Sequence, residues 1–199
     1  MTVHPTKQQI LETAIEIIDE HGEAALRLQD IQDALGVSAP SIYHFFGSRE
    51  GLVSAAHEER FVRSLLEFEG PTERLLLDCT TPEDIRAALS TILRSIFDAE
   101  RAPARMRRIS AIAGTVGRPE LAERFDQLSR DHHRNLAASL EIARDRGLIR
   151  PDLDLVAFAS WMSGQILGRV YIELGATHPP DPDWDAIAEA SIAATLFDR

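Results

Sequence analysis

The chain has 199 residues, enough for one domain or two small ones, and its 44% hydrophobic content is ordinary for a globular protein. No apolar run reaches the ~18 residues that a membrane span needs, the N-terminus lacks the layout of a secretion signal, and the single cysteine, Cys79, excludes an intramolecular disulfide. We therefore expect a cytoplasmic protein, and its net charge of −11 argues against general affinity for nucleic acid.

Two helices are predicted in the first 35 residues. The first begins at a capping box, with Thr6 at the N-cap and Gln9 at position N3, and ends near Gly22. The second covers residues 28–35, where apolar side chains recur at three- and four-residue spacing. Gly36 follows the last apolar residue, where a left-handed residue commonly ends a helix.

A turn and a further short helix follow. Ser38 is a good N-cap, the segment 39–46 carries apolar residues at helical spacing, and Gly47 ends it. Helix, short turn and helix make up the helix-turn-helix layout, in which the second helix enters the major groove of DNA. The sequence therefore predicts a recognition helix over residues 39–46.

Three motifs in this region resemble the signature of the tetracycline-repressor-like (TetR) transcriptional regulators: Gly36-Val37-Ser38, Tyr43-x-x-Phe46 and Ser48-Arg49-Glu50-x-Leu52. The resemblance implies an all-α protein, with an N-terminal three-helix helix-turn-helix domain over 1–48 and a C-terminal helical ligand-binding and dimerisation domain over 49–199. It also implies a transcriptional regulator, most simply a repressor that a small effector releases from operator DNA.

The motif and the resemblance assign DNA contacts to side chains on and around the recognition helix. Ser41 and His44 lie three residues apart and share the face opposite the apolar one, while Tyr43 and Arg49 are implied to contact phosphates. The full predicted set is Lys7, Arg27, Gln29, Ser38, Ser41, Tyr43, His44 and Arg49. The first fifty residues nevertheless carry eight acidic side chains against three basic ones, which keeps open a TetR-like ligand-binding protein with weak or lost DNA binding.

Capping and helix-breaking residues bound the remaining helices. Ser48 caps a helix that Gly70-Pro71 stops or kinks, Leu75-Leu76-Leu77 forms a short helix of its own, and Thr81 caps the next helix. Pro119 begins a long helix that ends at Gly147. Pro151-Asp152 precedes a helix over 153–174, and Asp183 caps the last helix, over 183–197. The helix over 153–174 is apolar almost all round, with Ser160, Gly164 and Gly168 as a stripe of small residues. In the resembled family the last two long helices form the dimer interface, so we predict a homodimer through 153–174 and 183–197.

The candidate ligand site consists of large apolar side chains on separate helices, which a helical bundle brings together. They are Phe97, Met106, Phe125, Trp161 and Met162, with Arg108 and His132 as candidate polar partners. This set predicts a mainly apolar small-molecule effector. The alternative is that the five apolar side chains simply fill a core.

Two polar clusters have simple structural explanations. The four arginines between positions 101 and 108 could clamp an anionic ligand, but such a run is usually a solvated helix face, which we expect here. His132 and His133 point about 100° apart on a helix, so they cannot easily share a metal ion, and we expect a solvated pair. No metal site, cofactor or catalytic residue is predicted, and an all-α enzyme is the weakest alternative because motifs such as G-x-S-x-G and H-E-x-x-H are absent.

Overall fold

The structure is a computed structural model, which describes residues 4–174 and 182–197, except for the side chains of 68–74 and 182. All regular elements in these ranges are helical, which confirms the predicted all-α fold. The helices are α1 (Pro5–His21), α2 (Leu28–Leu35), α3 (Ala39–Phe46), α4 (Arg49–Leu77), α5 (Pro82–Phe97), α6 (Ala102–Ala113), α7 (Pro119–Asp145), α8 (Leu155–Glu173) and α9 (Pro182–Phe197), with 3-10 turns at Glu23–Ala25 and Ala99–Arg101. None of these helices is long and apolar enough to cross a lipid bilayer.

The chain divides into two compact units. One consists of Met1–Arg63 and Ser110–Phe125, and the other of Ser64–Ile109 and Asp126–Arg199. The helix-turn-helix segment lies in the first unit, together with the first half of α4. The predicted domain boundary at residue 48 stays a prediction, because compactness alone does not say which part of the chain binds DNA.

The first unit is built around the helix-turn-helix. Gly36 has φ 66° and ψ 22°, the left-handed conformation that ends α2, and Ser38 Oγ accepts the Ser41 backbone N–H at 3.4 Å to start α3. Both helices begin and end where the sequence predicts. Their inward faces meet those of α1 and α4 in one hydrophobic core, formed by Ile10, Ala14, Ile15, Ile18, Leu26, Ile31, Ile42, Leu52, Val53 and Ala56.

The core of the second unit is organised by α5, which buries seven of its sixteen residues and packs on α8 and α9. The predicted cap of α5 is confirmed as a full capping box. Thr81 Oγ1 accepts the Asp84 N–H at 3.1 Å, and the Asp84 carboxylate accepts the Thr81 N–H at 2.8 Å. Hydrogen bonds from Thr80 and Thr81 lower the pKa of Asp84 to about 2, so this cap stays ionised at neutral pH.

Two helices begin earlier than predicted, because a proline occupies the first helical position. α1 begins at Pro5, and His4 caps it with Nδ1 accepting the Thr6 N–H at 3.3 Å, so Thr6 lies inside the helix. α9 begins at Pro182, and Asp183 lies in its first turn instead of preceding it. Proline suits this position, since its φ is already helical and an N–H there would have no partner within the helix.

Two further boundaries differ from the prediction. The cap of α8 is Asp154, whose carboxylate accepts two backbone N–H groups at 3.0 Å, in place of the predicted Asp152. The helix α4 continues through Gly70-Pro71, and residues 75–77 form its last turn instead of a separate helix. Leu76 in that turn is buried in the core of the second unit, and such tertiary packing offsets the unfavourable proline.

Candidate functional site

The recognition helix α3 presents its polar side chains away from the core. Ile42 is completely buried, whereas Tyr43 and His44 are exposed and Ser41 is half-buried. The N–H of Gly47 donates to the Tyr43 carbonyl at 2.8 Å and closes the helix. This orientation leaves Ser41, Tyr43 and His44 accessible, as a helix that reads the major groove requires.

The other predicted DNA contacts lie on α1, on α2 and at the start of α3. Arg27, at the N-cap of α2, and Gln29, in its first turn, are exposed. Lys7 is exposed on α1, with Nζ 5.7 Å from the centre of the Phe46 ring. Ser38 is exposed but its hydroxyl already caps α3. DNA contact by these four side chains stays a prediction.

Arg49 has an internal role in the first unit. Its Nε donates to the Leu26 carbonyl at 3.0 Å, and its Nη2 donates to the Glu23 carbonyl at 2.9 Å. Both carbonyls belong to the segment between α1 and α2, which these bonds attach to the start of α4. The structure therefore explains Arg49 without DNA, and its phosphate contact stays a prediction.

A buried polar network lies within the first unit, and nothing in the sequence analysis indicated it. His57 of α4 is buried, with Nε2 3.0 Å from Glu23 Oε2 and Nδ1 3.2 Å from Arg60 Nη1. Because a guanidinium can only donate, Nδ1 must accept, and the proton of the neutral imidazole sits on Nε2, facing Glu23. Gly114 lies against this ring so closely that a Cβ there would be 2.7 Å from three ring atoms.

Half of the acidic side chains in the first fifty residues form ion pairs within the first unit. The acids Glu12, Asp19, Glu23 and Glu50 pair with Arg60, Arg63 and Arg118. All three arginines lie beyond residue 50, so the charge count of the first fifty residues does not include them. The same unit adds as many acids as arginines beyond residue 50, Glu58, Glu59, Glu120 and Glu123 against Arg60, Arg63, Arg118 and Arg124, so its net charge stays at −5 and the excess of acid remains.

The pKa of His57 gives the protein a pH-dependent stability. Burial lowers this pKa below the ordinary 6.5; Glu23 opposes the shift, and Arg60 and Arg118 add to it. In the unfolded chain His57 takes up a proton near pH 6.5, whereas in the folded protein it does so only at lower pH. Between these two pKa values the folded state binds fewer protons than the unfolded chain. The free energy of unfolding is therefore highest above about pH 6.5 and decreases as the pH falls through the pKa that His57 has in the folded protein.

We expect a His57→Gln variant to lose less stability than the wild type between about pH 7 and pH 5, because glutamine does not titrate. Urea unfolding followed by circular dichroism measures the difference, at about 1.4 kcal/mol for each unit by which the pKa is lowered. Burial also lowers the pKa of His133, but this residue is present in both proteins and cancels in the comparison. Equal losses in the two proteins would contradict the assignment.

The second unit contains a cavity of ≈ 340 Å³, lined by side chains of α4, α5, α6, α7 and α8. The apolar lining residues are Leu65, Ile92, Ile96, Leu136, Ala138, Ile142, Met162 and Ile166, and the polar ones are Arg108, His132, Asn135, Ser139 and Ser163. This size lies near the lower end of the roughly 300–1,000 Å³ typical of small-molecule pockets. A mostly apolar wall with a few polar groups is the usual composition of such sites.

Of the five side chains predicted to bind the ligand, the structure places one, Met162, on the cavity wall. Phe97 is buried in the core of the second unit, and Phe125 is buried in the first unit. Met106 and Trp161 are 38% and 39% exposed on the outer surface. The sequence indicates neither that Met106 and Trp161 reach the surface nor which internal surface Phe97 and Phe125 reach.

The arginines of α6 are not the solvated face that we expected. Arg105 and Arg108 are only 2% and 7% exposed, whereas Arg107 is exposed. Arg105 forms an ion pair with Glu173 of α8, and Arg108 lines the cavity. Positions 105 and 108 are three apart and share a helix face, which is the signal that separates them from Arg107.

The two adjacent histidines are not a solvated pair either. His132 and His133 are both half-buried, because α7 is covered on this side by α8. His132 lines the cavity, and His133 Nε2 lies 3.0 Å from the hydroxyl of Ser163, a second lining residue. Among the residues that the structure describes, no group of three or more His, Cys, Asp or Glu could hold a metal ion.

One face of α8 and one of α9 are apolar and yet exposed in the single chain. The exposed positions recur at helical spacing: Val156, Ala157, Ser160, Trp161, Gly164, Leu167, Gly168 and Tyr171 on α8, and Ala186, Ile187, Ala190, Ser191 and Ala194 on α9. Tyr171 and Ile187 are 79% and 66% exposed. Contiguous apolar surface of this kind is typical of protein–protein interfaces.

Both units match models of one protein family. Residues 10–56 match the family described as bacterial regulatory proteins of the tetR family, and residues 82–195 match the tetracyclin repressor-like C-terminal domain. The chain belongs to the TetR family. The family predicted from the motifs between residues 36 and 52 is thereby confirmed, and this TetR-family protein is a transcriptional regulator with a helix-turn-helix DNA-binding domain.

Relatives of this TetR-family chain are regulators too. The uncharacterised HTH-type transcriptional regulator YezE of Bacillus subtilis (strain 168) is 30% identical over 166 residues, which cover 82% of this chain and 83% of YezE. The HTH-type transcriptional regulator BetI of Stenotrophomonas maltophilia (strain R551-3) is 26% identical over 171 residues, 81% of this chain and 82% of BetI. The solved structure of Salmonella enterica GusR shares the fold, with a TM-score of 0.72 and 21% identity over 96% of this chain and 95% of GusR.

Proposed function

We propose that this TetR-family regulator is a repressor, which binds operator DNA as a homodimer and releases it when a small, mainly apolar effector enters the cavity of the second unit. The observation that carries the proposal is the cavity itself. It measures ≈ 340 Å³, its wall is mostly aliphatic, and its residues from α5 onward lie in the segment matched by the C-terminal family model. Such a cavity gives a transcriptional regulator a place to bind a signal molecule.

DNA binding is supported by the accessible polar side chains of α3. Lys7 and Arg27 are the exposed cations near this helix. With so few phosphate contacts, we expect modest affinity and a shallow dependence on salt. These features favour a DNA-binding regulator over the alternative, a TetR-like protein that binds its ligand but not DNA.

Dimerisation is supported by the apolar faces of α8 and α9. A homodimer places two recognition helices on two half-sites of the DNA, and their spacing must match one helical turn or a multiple of it. The effector then acts by binding better to the state in which the two helices are wrongly spaced. It weakens DNA binding only by as much as its affinity for the two states differs.

Fluorescence anisotropy with DNA from the promoter region beside its own gene tests the proposal. A labelled duplex should bind the protein at low salt, and an effector that binds once per subunit should release it. Absence of DNA binding at low salt would instead favour the ligand-binding alternative. Tight DNA binding that no cavity ligand reverses would remove the effector-responsive part of the proposal.

Two substitutions in α3 should have different consequences for DNA binding. His44→Ala should weaken binding to the operator by about 10- to 100-fold and change the preferred base at one position, because a base contact contributes about 1–3 kcal/mol of discrimination. Tyr43→Phe should weaken binding to all sequences alike, because a phosphate contact carries no sequence information. Anisotropy against a panel of single-base operator variants distinguishes them, and unchanged operator binding by His44→Ala would show that α3 does not lie as proposed.

A further inference from the structure

The described polar side chains that line the cavity include a positive charge and no negative one. Arg108 projects from α6 into the cavity wall and is buried. The other polar lining groups are the imidazole of His132, the amide of Asn135 and the hydroxyls of Ser139 and Ser163. Among the lining residues that the structure describes there is no carboxylate, so the fixed charge of this wall is positive.

A buried guanidinium favours an anion nearby. Removal from water lowers the pKa of Arg108 to about 10, which still leaves it protonated at neutral pH. The charge therefore stays, and a ligand anion in the cavity would restore part of the solvation that burial removes. Guanidinium groups match carboxylates with two parallel hydrogen bonds, which adds geometric selectivity to the attraction between the charges.

The apolar side chains of the cavity wall indicate the chemical nature of the part of the ligand that lies away from Arg108. Its apolar side chains are leucines, isoleucines, one alanine and one methionine, contributed by α4, α5, α7 and α8. No phenylalanine, tyrosine or tryptophan is among the described lining residues, so a flat aromatic ligand would find no ring to stack on. A saturated chain or ring fits such a wall better, and the volume of ≈ 340 Å³ limits it to a compact molecule.

We propose that the cavity binds an aliphatic monocarboxylate, with the carboxylate on Arg108 and the hydrocarbon body among the leucine and isoleucine side chains. This inference rests on the proposed function, because it names the chemical class of the effector. His132, Asn135, Ser139 and Ser163 place further hydrogen-bonding groups on the cavity wall, from α7 and α8. A neutral or cationic ligand with the same body gains nothing from Arg108, and a cation is repelled by it.

Three probes with one hydrocarbon chain and different heads test the charge requirement. Decanoate, decanol and decyltrimethylammonium are titrated into the full-length wild-type protein by calorimetry, below the concentrations at which they aggregate. Decanoate should bind once per subunit and at least about ten-fold more tightly than decanol, with the cation weakest, because a hydrogen bond between two charged groups is stronger than one between a charged and a neutral group. Decanol binding as tightly as decanoate, or no binding of decanoate, would overturn the inference.

Arg108→Gln and Arg107→Gln form a matched pair on the same helix. The first removes the charge from the cavity wall and should weaken decanoate binding by about 10- to 100-fold while leaving decanol binding unchanged. Arg107→Gln removes an exposed charge and should change neither the affinity for decanoate nor that for decanol. Unchanged decanoate affinity in Arg108→Gln would overturn the role of Arg108, and if that variant fails to fold, the three wild-type titrations still decide.

The operator DNA assay separates this inference from the proposed function. If decanol and decanoate both release DNA equally, the effector-responsive repressor stands and the carboxylate requirement is lost. If the protein binds no DNA, the repressor proposal fails, and the calorimetric comparison of the three probes still decides the chemical class of the ligand.

Discussion

If the protein is the homodimer that we propose, a Gly164→Glu substitution should convert it into a monomer and abolish operator binding at the same time. Gly164 lies on the exposed apolar face of α8, and a Cβ at this position would have no atom within 4 Å in the single chain. The fold of the monomer therefore tolerates the longer side chain. In a dimer through α8 and α9, the same carboxylate would be buried without a partner, which costs several kcal/mol on each side of the interface.

Light scattering at micromolar concentration measures the mass, and anisotropy with operator DNA measures the loss of binding. Ala122→Glu is the matched control, because Ala122 is exposed on α7 and lies outside the apolar faces of α8 and α9. The control should stay dimeric and bind DNA as the wild type does. Thermal unfolding should show a folded Gly164→Glu protein. A wild-type monomer, or a Gly164→Glu dimer with normal DNA binding, would contradict the proposed interface.

The helix-turn-helix was predictable because its signals are local. Gly36, Ser38 and Gly47 each determine the backbone within one or two residues of themselves, through a left-handed conformation or a capping hydrogen bond. α2 and α3 accordingly begin and end where the sequence indicates. The end of α4 was not predictable in this way. Gly70-Pro71 is a strong local signal for the helix to end. The burial of Leu76 against residues that are distant in the sequence overrides that signal.

The sequence predicts a mainly apolar cavity in the C-terminal helices, but it does not predict which residues line that cavity. The periodicity of α5, α7 and α8 shows that each helix has a buried face, yet of Phe97 and Met162, which belong to the same core region, only Met162 lines the cavity. Phe125 and Leu140 lie on one helix, but they belong to different units. Which internal surface a side chain reaches depends on how the helices pack, and that information is spread over the whole chain.

The polar network of the first unit illustrates the same limit for charges. Glu23 pairs with Arg118, which is 95 positions away, and His57 contacts Gly114. Neither pairing has a signature at either position taken alone. A charge count over the first fifty residues therefore gives the net charge but not the ion pairs, because the arginines that pair with these acids come from later segments of the chain.

A second buried charge cluster lies in the second unit, where Glu173 at the end of α8 stands between two buried arginines. The Nε of Arg105 donates to Glu173 Oε2 at 2.9 Å, and its Nη1 donates to the Asp98 carbonyl at 2.9 Å. Arg169 Nε lies 3.3 Å from Glu173 Oε1, within ion-pair distance but without hydrogen-bond geometry, while its Nη2 donates to Asp185 at 3.2 Å. Glu173 therefore supplies negative charge to both guanidinium groups.

Glu173→Ala should destabilise the protein by about 3–5 kcal/mol, because it leaves buried positive charge without its carboxylate. At roughly 2–4 °C per kcal/mol for a chain of this size, the melting temperature should fall by about 10 °C. Glu141→Ala is the control: Glu141 pairs with Arg144 at 3.1 Å on the exposed side of α7, and loss of a surface pair costs about 0–1 kcal/mol. Scanning calorimetry compares the two variants with the wild type. Equal shifts would mean that Glu173 contributes no more than a surface charge, whereas a large shift confined to Glu173→Ala would show that α6 and α8 are held together by this carboxylate.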